Sequence, residues 1–162
     1  MQDLAYATRS FDSATEALKV PPHSIEAEQA VLGGLMLENS AWDQVADVVT
    51  EDDFYRRDHR LIFRAVTELS ARSTPFDVIT LTEQLAGINE LENAGGLSYL
   101  GGLAKNTPTA ANIKAYATIV RERSILRQLI RTGTEIANNA FNPQGRDSAE
   151  LLDHCEKLVF EI

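Results

Sequence analysis

The stretch SIEAEQAVLGGLMLEN, residues 24–39, predicts an amphipathic helix with two adjacent glycines in its interior. Ser24 is suited to cap this helix, because its hydroxyl can accept a hydrogen bond from a backbone N–H of the first turn. A glycine inside a helix costs about 1 kcal/mol relative to alanine, so Gly33 and Gly34 need a packing reason. We therefore expect a second helix to approach closely, and Gly34→Leu to loosen the fold by overpacking.

Apolar residues at helical spacing continue beyond this helix and predict further short helices. They fall in four groups: Trp42, Val45 and Val49; Leu61, Ile62, Ala65, Val66 and Leu69; Val78, Leu81 and Leu85; and Tyr99, Leu100 and Leu103. Asp77 is suited to cap the third group, and Thr50 with Asp53 forms a capping pair in a turn between the first two. The only strand-like run, VIT at 78–80, is too short for a sheet. The sequence predicts an all-α fold in which residues 21–111 form a compact, globular bundle of short helices.

A single long helix is predicted from Asn112 to about Ala140, a segment without proline and with one glycine. Its apolar stripe changes direction by about a third of a turn along the way. The first half aligns Ile113, Tyr116, Ala117 and Val120, and the second aligns Leu126, Leu129, Ile130, Gly133, Ile136, Ala137 and Ala140. The two halves are therefore expected to pack against different parts of the structure.

A last helix is predicted after Pro143 and Gly145, with Asp147 and Glu150 as its capping box. Its apolar stripe is formed by Leu151, Leu152, Cys155, Leu158, Val159 and Ile162. This stripe can lie antiparallel on the second half of the long helix, so residues 112–162 are expected to form a long helix and a projecting antiparallel hairpin. Cys155 is expected to be a small core residue.

Such a hairpin has apolar surface on more than one side, which favours pairing with a second hairpin. We predict dimerisation through residues 112–162. The candidate residues are Leu126, Leu129, Ile130, Ile136, Leu151, Cys155, Leu158 and Val159.

Charge is spread unevenly along the chain, whose net charge is −9. Counting charged residues gives about −8 for residues 21–110 and about +4 for residues 111–132. Residues 1–20 lack sustained apolar periodicity and end at a Pro-Pro pair, so they are predicted to be a flexible N-terminal tail. The sequence shows no transmembrane span and no signal peptide, so we expect a cytoplasmic protein with no membrane partner.

No arrangement of residues typical of catalysis, nucleotide binding or metal binding is found in the sequence. No lysine follows a glycine, so the GxxxxGK[ST] phosphate-binding pattern is absent. GLSYLG resembles a nucleophile elbow but has Leu100 at its fifth position and no preceding strand. His23, His59 and His154 lack metal-ligand spacing, and His59 is expected at the surface or in a cap. We expect no catalytic, metal or nucleotide-binding residues and no cofactor.

Arg123, Arg127 and Arg131 form the most distinctive charged feature, because their spacing places them on one face of the long helix. Beyond the edge of the body this face is expected to be free. Guanidinium groups there suit acidic protein partners, pairs between subunits or phosphate. A solvated face is the plain alternative, and nucleic acid is the least favoured partner because the flanking segments are acidic.

Five motifs resemble the N-terminal domain of the bacterial replicative DNA helicases of the DnaB family. They are PPHSIEAEQAVLGGLMLEN, EDDFYRRDHRLIF, DVITLTEQL, LENAGGLSYL and TPTAANIKAYATIVRERSILRQLI. The resemblance extends from Pro21 to about Ile162 and keeps the order of the motifs. It implies a helical body followed by a hairpin, with hairpins pairing so that dimers assemble as a trimer of dimers into a collar.

The resemblance also implies partners. In that family the collar docks the C-terminal helicase-binding domain of primase, and a helicase loader is a further partner. ATP, Mg²⁺ and translocation on single-stranded DNA belong to a motor domain after a linker, and the sequence ends before both. These residues are therefore expected neither to hydrolyse ATP nor to unwind DNA, and to act at the nucleoid-associated replisome.

Candidates for partner contact are Glu26, Tyr99, Arg123 and Arg127. Each has a plainer alternative: Glu26 can simply complement the dipole of its helix, and Tyr99 can be a half-buried core ring with a hydrated hydroxyl. Two other functions stay open. The chain could be a freestanding helical adaptor of the primosome, or it could bind single-stranded DNA weakly through the arginine row.

Overall fold

Seven α-helices account for most of residues 19–162, which are the residues that this computed structural model describes. We number them α1 (Ile25–Leu37), α2 (Trp42–Val45), α3 (Arg57–Ala71), α4 (Val78–Gly87), α5 (Gly96–Asn106), α6 (Ile113–Phe141) and α7 (Ser148–Phe160). Short 3-10 turns lie at Asn39–Ala41 and Glu51–Asp53. No strand occurs in this part of the chain, so the all-α prediction is confirmed. The predicted tail, residues 1–20, lies outside the described residues except for its last two positions.

The helices begin where the sequence places capping residues. The Ser24 hydroxyl accepts a hydrogen bond from the Ala27 N–H at 3.2 Å. Asp77 caps α4 through the Thr80 N–H, and Asp147 with Glu150 forms the predicted capping box of α7. Local hydrogen-bonding signals therefore fix the start of these helices.

One local expectation was wrong. The helix predicted through Val49 is a single turn, α2, and Val49 follows it in a turn that still buries its side chain. Here the Val48 and Val49 N–H groups both donate to the Val45 carbonyl, which ends the regular helix. The run at 78–80 lies in the first turn of α4, which confirms the helix predicted after the Asp77 cap.

The glycine pair of α1 lies against the junction between α5 and α6. A Cβ atom added at Gly33 would lie 2.0 Å from Thr107 Oγ1 and 2.5 Å from the Leu103 carbonyl oxygen. One added at Gly34 would lie 3.0 Å from Ile113 Cδ1. The close approach predicted from the two glycines is confirmed, and Gly33 is the tighter position.

The two halves of α6 have different surroundings, as the rotated stripe predicted. Ile113, Ala117, Val120 and Ser124 are buried against the body. Beyond Ser124 no residue of α6 is fully buried, and α7 turns back to contact this second half. The helix therefore links the globular body to a hairpin.

The hairpin candidates divide into two groups. Ile136, Leu151, Cys155 and Leu158 are half-buried within the hairpin. Leu126, Leu129, Ile130 and Val159 are exposed, with 41%, 48%, 56% and 52% of their surface accessible. This exposure agrees with the expectation that a lone hairpin keeps apolar surface on more than one side, because one helix covers only one side of a broad stripe. Cys155 lies in the hairpin and not in the core of the body.

Candidate protein-interaction surfaces

Three helices of the body meet at a buried hydrogen-bond network formed by Glu28 of α1, His59 of α3 and Tyr99 of α5. The His59 ring has no accessible surface, and Glu28 is only 1% exposed. His59 Nδ1 lies 2.8 Å from Glu28 Oε1, and Nε2 lies 2.6 Å from the Tyr99 hydroxyl. The expectation of a surface or cap-bonded His59 was wrong, because a carboxylate and a phenol from other helices satisfy both ring nitrogens inside the body.

The direction of these hydrogen bonds follows from the donors around Glu28. Its carboxylate accepts from the Tyr55 N–H at 2.9 Å, so it serves as an acceptor. We assign the His59 ring proton to Nδ1, which then donates to Glu28, while Nε2 accepts from the Tyr99 O–H. Gln29 Nε2 donates to the Tyr99 oxygen at 3.3 Å. The Tyr99 hydroxyl is thus engaged by two protein groups, and its ring is half-buried, as in the plainer alternative for this residue.

The Tyr99 ring lines a groove between α1 and α5, which we call the α1–α5 groove. Its volume is about 530 Å³, and Glu26, Ser98, Asn106, Pro108 and Tyr116 are among its lining residues. Glu26 is exposed and Tyr99 is half-buried, so both side chains are accessible from the groove. The groove brings together two of the four predicted partner-contact residues.

Arg56 covers the Tyr99 ring from another side. Its guanidinium carbon lies 5.4 Å from the ring centre, within the range of a cation–π contact. A hydrogen bond to Asp58 raises the pKa of Arg56, so the group stays cationic over the ring. The ring is therefore held at its hydroxyl and at one of its faces.

Arg127, the third predicted contact residue, binds the body. Its guanidinium donates to the carbonyl oxygens of Pro22 at 2.7 Å and Asp53 at 2.6 Å. It also lies 5.4 Å from the centre of the Tyr55 ring, on which the His23 ring stacks at 4.2 Å. Arg127 thus fastens the segment before α1 to the base of the hairpin.

The arginine face of α6 is therefore not free at Arg127, contrary to expectation. The segment before α1 and the turn after Asp53 bring two backbone carbonyls to this face, and each needs a donor. Burial lowers the pKa of Arg127, while the nearby carboxylates of Glu28 and Asp53 oppose the shift. Arg123 is half-buried and Arg131 is exposed. The role of Arg123 and Arg127 in partner contact stays a prediction.

Asp53 is a second buried carboxylate, and it ties the base of α6 to the body. It completes the predicted capping pair by accepting from the Thr50 N–H at 2.7 Å. It also accepts from Arg121 Nη1 at 2.8 Å and from the Ser124 hydroxyl at 2.7 Å. The sequence indicated the cap but gave no signal for the contacts to α6, because these partners lie about seventy residues away in the chain.

Arg127→Lys should loosen the segment before α1. Lysine keeps the charge but loses the planar pair of donors that reaches both carbonyls. We expect the free energy of unfolding to fall by about 1–2 kcal/mol. Amide hydrogen exchange should accelerate in the first turn of α1, where the Ala27 and Glu28 N–H groups are bonded to Ser24. Arg131→Lys, at an exposed position of the same helix, is the control. Equal effects of the two substitutions would contradict this role of Arg127.

The hairpin presents the other candidate surface, which we call the hairpin apolar surface. It comprises Leu126, Leu129 and Ile130 of α6 with Leu152 and Val159 of α7, all exposed. Residues 126, 129 and 130 share one side of α6 by their spacing. Phe141 and Phe160 add exposed rings at the ends of the two helices, with 84% and 89% of their surface accessible. Several large apolar side chains exposed on one hairpin indicate a protein-interaction site.

Neither a metal site nor a membrane-spanning helix is found among the described residues. Within residues 19–162, no group of three His, Cys, Asp or Glu side chains is arranged to hold a metal ion. Among the helices of the same range, none is long and apolar enough to cross a membrane.

Comparison with known proteins gives consistent results. The family model for the DnaB-like helicase N-terminal domain matches residues 20–122. The replicative DNA helicase DnaB of Haemophilus influenzae is 49% identical over 154 residues, which are 95% of this chain and 33% of that protein. The chain thus spans about a third of the length of the curated relatives it matches.

Solved structures show the same fold. The N-terminal domain of DnaB helicase from Mycobacterium tuberculosis aligns with a TM-score of 0.85 and 35% identity, covering 88% of this chain and all of that one. The N-terminal domain from Helicobacter pylori, described together with its interactions with primase, aligns with a TM-score of 0.61 and 24% identity over 72% of this chain and 90% of that one.

Proposed function

Because the chain belongs to the family of DnaB-like helicase N-terminal domains, we propose that it is the non-catalytic collar domain of a hexameric replicative helicase. It would pair with copies of itself and dock primase at the replication fork. The M. tuberculosis N-terminal domain aligns with 88% of this chain, which supports the assignment to that part of the helicase. ATP hydrolysis, Mg²⁺ and translocation on single-stranded DNA would belong to a motor domain outside these residues.

The hairpin apolar surface carries the self-association part of this proposal. Leu129 and Ile130 have about half of their surface exposed in the single chain. A second hairpin offers the same apolar side chains, so a two-fold pairing would bury both sets at once. Pairs formed in this way would be the dimers of a trimer-of-dimers collar.

The α1–α5 groove supports the docking part. It joins the carboxylate of Glu26 to the ring of Tyr99 on a body that is strongly acidic. Such a surface favours a protein partner that brings cationic and apolar side chains. We propose the C-terminal helicase-binding domain of primase as this partner, in keeping with the primase interactions described for the H. pylori domain. Arg123 would extend the contact where the partner offers acidic side chains, and Arg127 would act by holding the adjoining segment, since its guanidinium is bonded to Pro22 and Asp53.

The remaining partners follow from the family. A helicase loader would act on the assembled ring, and the whole protein would work in the cytoplasm at the replisome. A freestanding adaptor role is less favoured, because the chain matches helicases along almost its whole length. Binding of single-stranded DNA through the arginine row is less favoured too, because Arg127 is engaged with Pro22 and Asp53.

Calorimetric titration of the chain with the primase domain tests the proposal, with light scattering to report the mass of the chain. We expect saturable binding by a dimer or a larger species. Glu26→Lys should weaken binding about tenfold or more, because it replaces an attractive charge by a repulsive one. Glu83→Lys, an exposed acid of α4, is the matched control and should bind like the unmodified chain. Absence of binding by a folded dimer would contradict the docking role.

A further inference from the structure

The buried network beneath the α1–α5 groove has no role in the proposal so far. We propose that Glu28 and His59 are positioning residues of this groove, which hold the Tyr99 ring in the orientation that a cationic protein partner meets. The inference rests on the proposed function, since it takes the primase domain as that partner.

His59 has no accessible surface and Glu28 almost none, so neither side chain can touch a docked protein. Any effect of these residues on docking must pass through a neighbour. Tyr99 is the neighbour that is both bonded to the network and part of the groove wall.

The network restrains Tyr99 from two directions. His59 Nε2 accepts from the Tyr99 hydroxyl at 2.6 Å, which fixes the far end of the side chain. The Glu28 carboxylate accepts from the Tyr55 N–H at 2.9 Å, and this holds the loop that carries Arg56 over the ring. A ring immobilised before docking loses less conformational freedom when the partner arrives.

A buried carboxylate costs stability relative to an apolar side chain of similar volume, even when it is well bonded. Glu28 accepts a hydrogen bond from the Nδ1–H of His59 and thereby leaves Nε2 free to accept one from the Tyr99 hydroxyl. An apolar pair at these positions could fill the space but could not direct the hydroxyl. Compared with an apolar pair, Glu28 and His59 therefore add a fixed orientation of the Tyr99 side chain.

The test is a double-mutant cycle on docking. The affinity of the chain for the primase domain is measured by calorimetry for the unmodified chain, His59→Leu, Tyr99→Ala and the double variant. His59→Leu should weaken binding about threefold to tenfold, which is the range expected for one immobilised side chain. In the Tyr99→Ala background, His59→Leu should weaken binding no further.

His59→Gln is the conservative variant, because its amide can donate to Glu28 and accept from Tyr99. It should bind within about twofold of the unmodified chain. It also keeps the test valid if His59→Leu does not fold, which thermal unfolding will show. In that case Glu28→Gln replaces His59→Leu in the cycle. NMR should further show a slowly exchanging Tyr99 hydroxyl proton in the unmodified chain and in His59→Gln.

The outcomes separate the two proposals. Additive losses in the double variant, or unaltered binding by Tyr99→Ala, would overturn the positioning role while leaving primase docking intact. Failure of the unmodified, folded chain to bind the primase domain would overturn the proposed docking and the positioning role with it.

Discussion

Gly33→Ala should lower the free energy of unfolding of the domain by about 2–3 kcal/mol, a cost typical of overpacking in a close-packed interior. The added Cβ atom would lie 2.0 Å from Thr107 Oγ1 and 2.5 Å from the carbonyl oxygen of Leu103. Thr107 can change its rotamer, but the carbonyl belongs to the backbone of α5. Relief therefore requires α1 and α5 to move apart, which would loosen the contacts of Leu32 and Leu35 in the core. Urea unfolding followed by circular dichroism measures the change.

Two further glycines provide the controls for this prediction. Gly34→Ala meets only the flexible end of Ile113 at 3.0 Å, so its cost should be largely offset by the better helix propensity of alanine. Gly101 lies in α5 with nothing within 4 Å of an added Cβ, so Gly101→Ala should stabilise the domain by about 0.5–1 kcal/mol. Equal stability of the Gly33→Ala and Gly101→Ala variants would show that α1 and α5 are not in close contact.

The elements of this fold that could be predicted are those set by residues near one another in the chain. The caps at Ser24, Asp77 and Asp147 use side chains and N–H groups three residues apart. The glycine pair is also a local signal, because a helix interior disfavours glycine unless a neighbour needs the space. The glycine pair predicted that another part of the chain approaches α1 closely. It did not predict that this part is the junction of α5 and α6.

The buried polar networks could not be predicted in this way. Glu26 and Glu28 both lie in the first turn of α1, yet Glu26 is exposed and Glu28 is buried. The difference comes from His59 and Tyr55, which follow Glu28 by 31 and 27 residues in the chain. Only the tertiary fold brings such partners together, so periodicity and capping rules gave no signal for them.

The hairpin shows a second limit of prediction from the sequence. Helical periodicity identified the apolar positions of α6 and α7 correctly, but it does not say which neighbour covers each position. The structure places Ile136 within the hairpin and leaves Leu129 and Ile130 exposed. The apolar stripe of α6 is broader than one neighbouring helix can cover. Its uncovered side chains therefore indicate a second protein surface, which the single chain does not supply.

Leu129→Asp should abolish pairing of the hairpins. In a two-fold dimer each substitution occurs twice, so two carboxylates would be buried against apolar side chains. An unpaired buried carboxylate costs several kcal/mol. We expect the dissociation constant of the dimer to rise by about a hundredfold or more. Light scattering and sedimentation equilibrium over a range of concentrations measure this change.

Leu97→Asp supplies the matched control, because Leu97 is an exposed leucine on α5 of the body, with 58% of its surface accessible against 48% for Leu129. Leu97→Asp should unfold at nearly the same temperature as the unmodified chain, and Leu129→Asp should do so at concentrations too low for pairing, since neither position is buried in the single chain. If Leu129→Asp remained dimeric, the dimer interface would lie outside the exposed side of α6. If Leu97→Asp dissociated the dimer instead, the body and not the hairpin would form the contact. Loss of pairing in Leu129→Asp alone would place the interface on the side of α6 that α7 leaves uncovered.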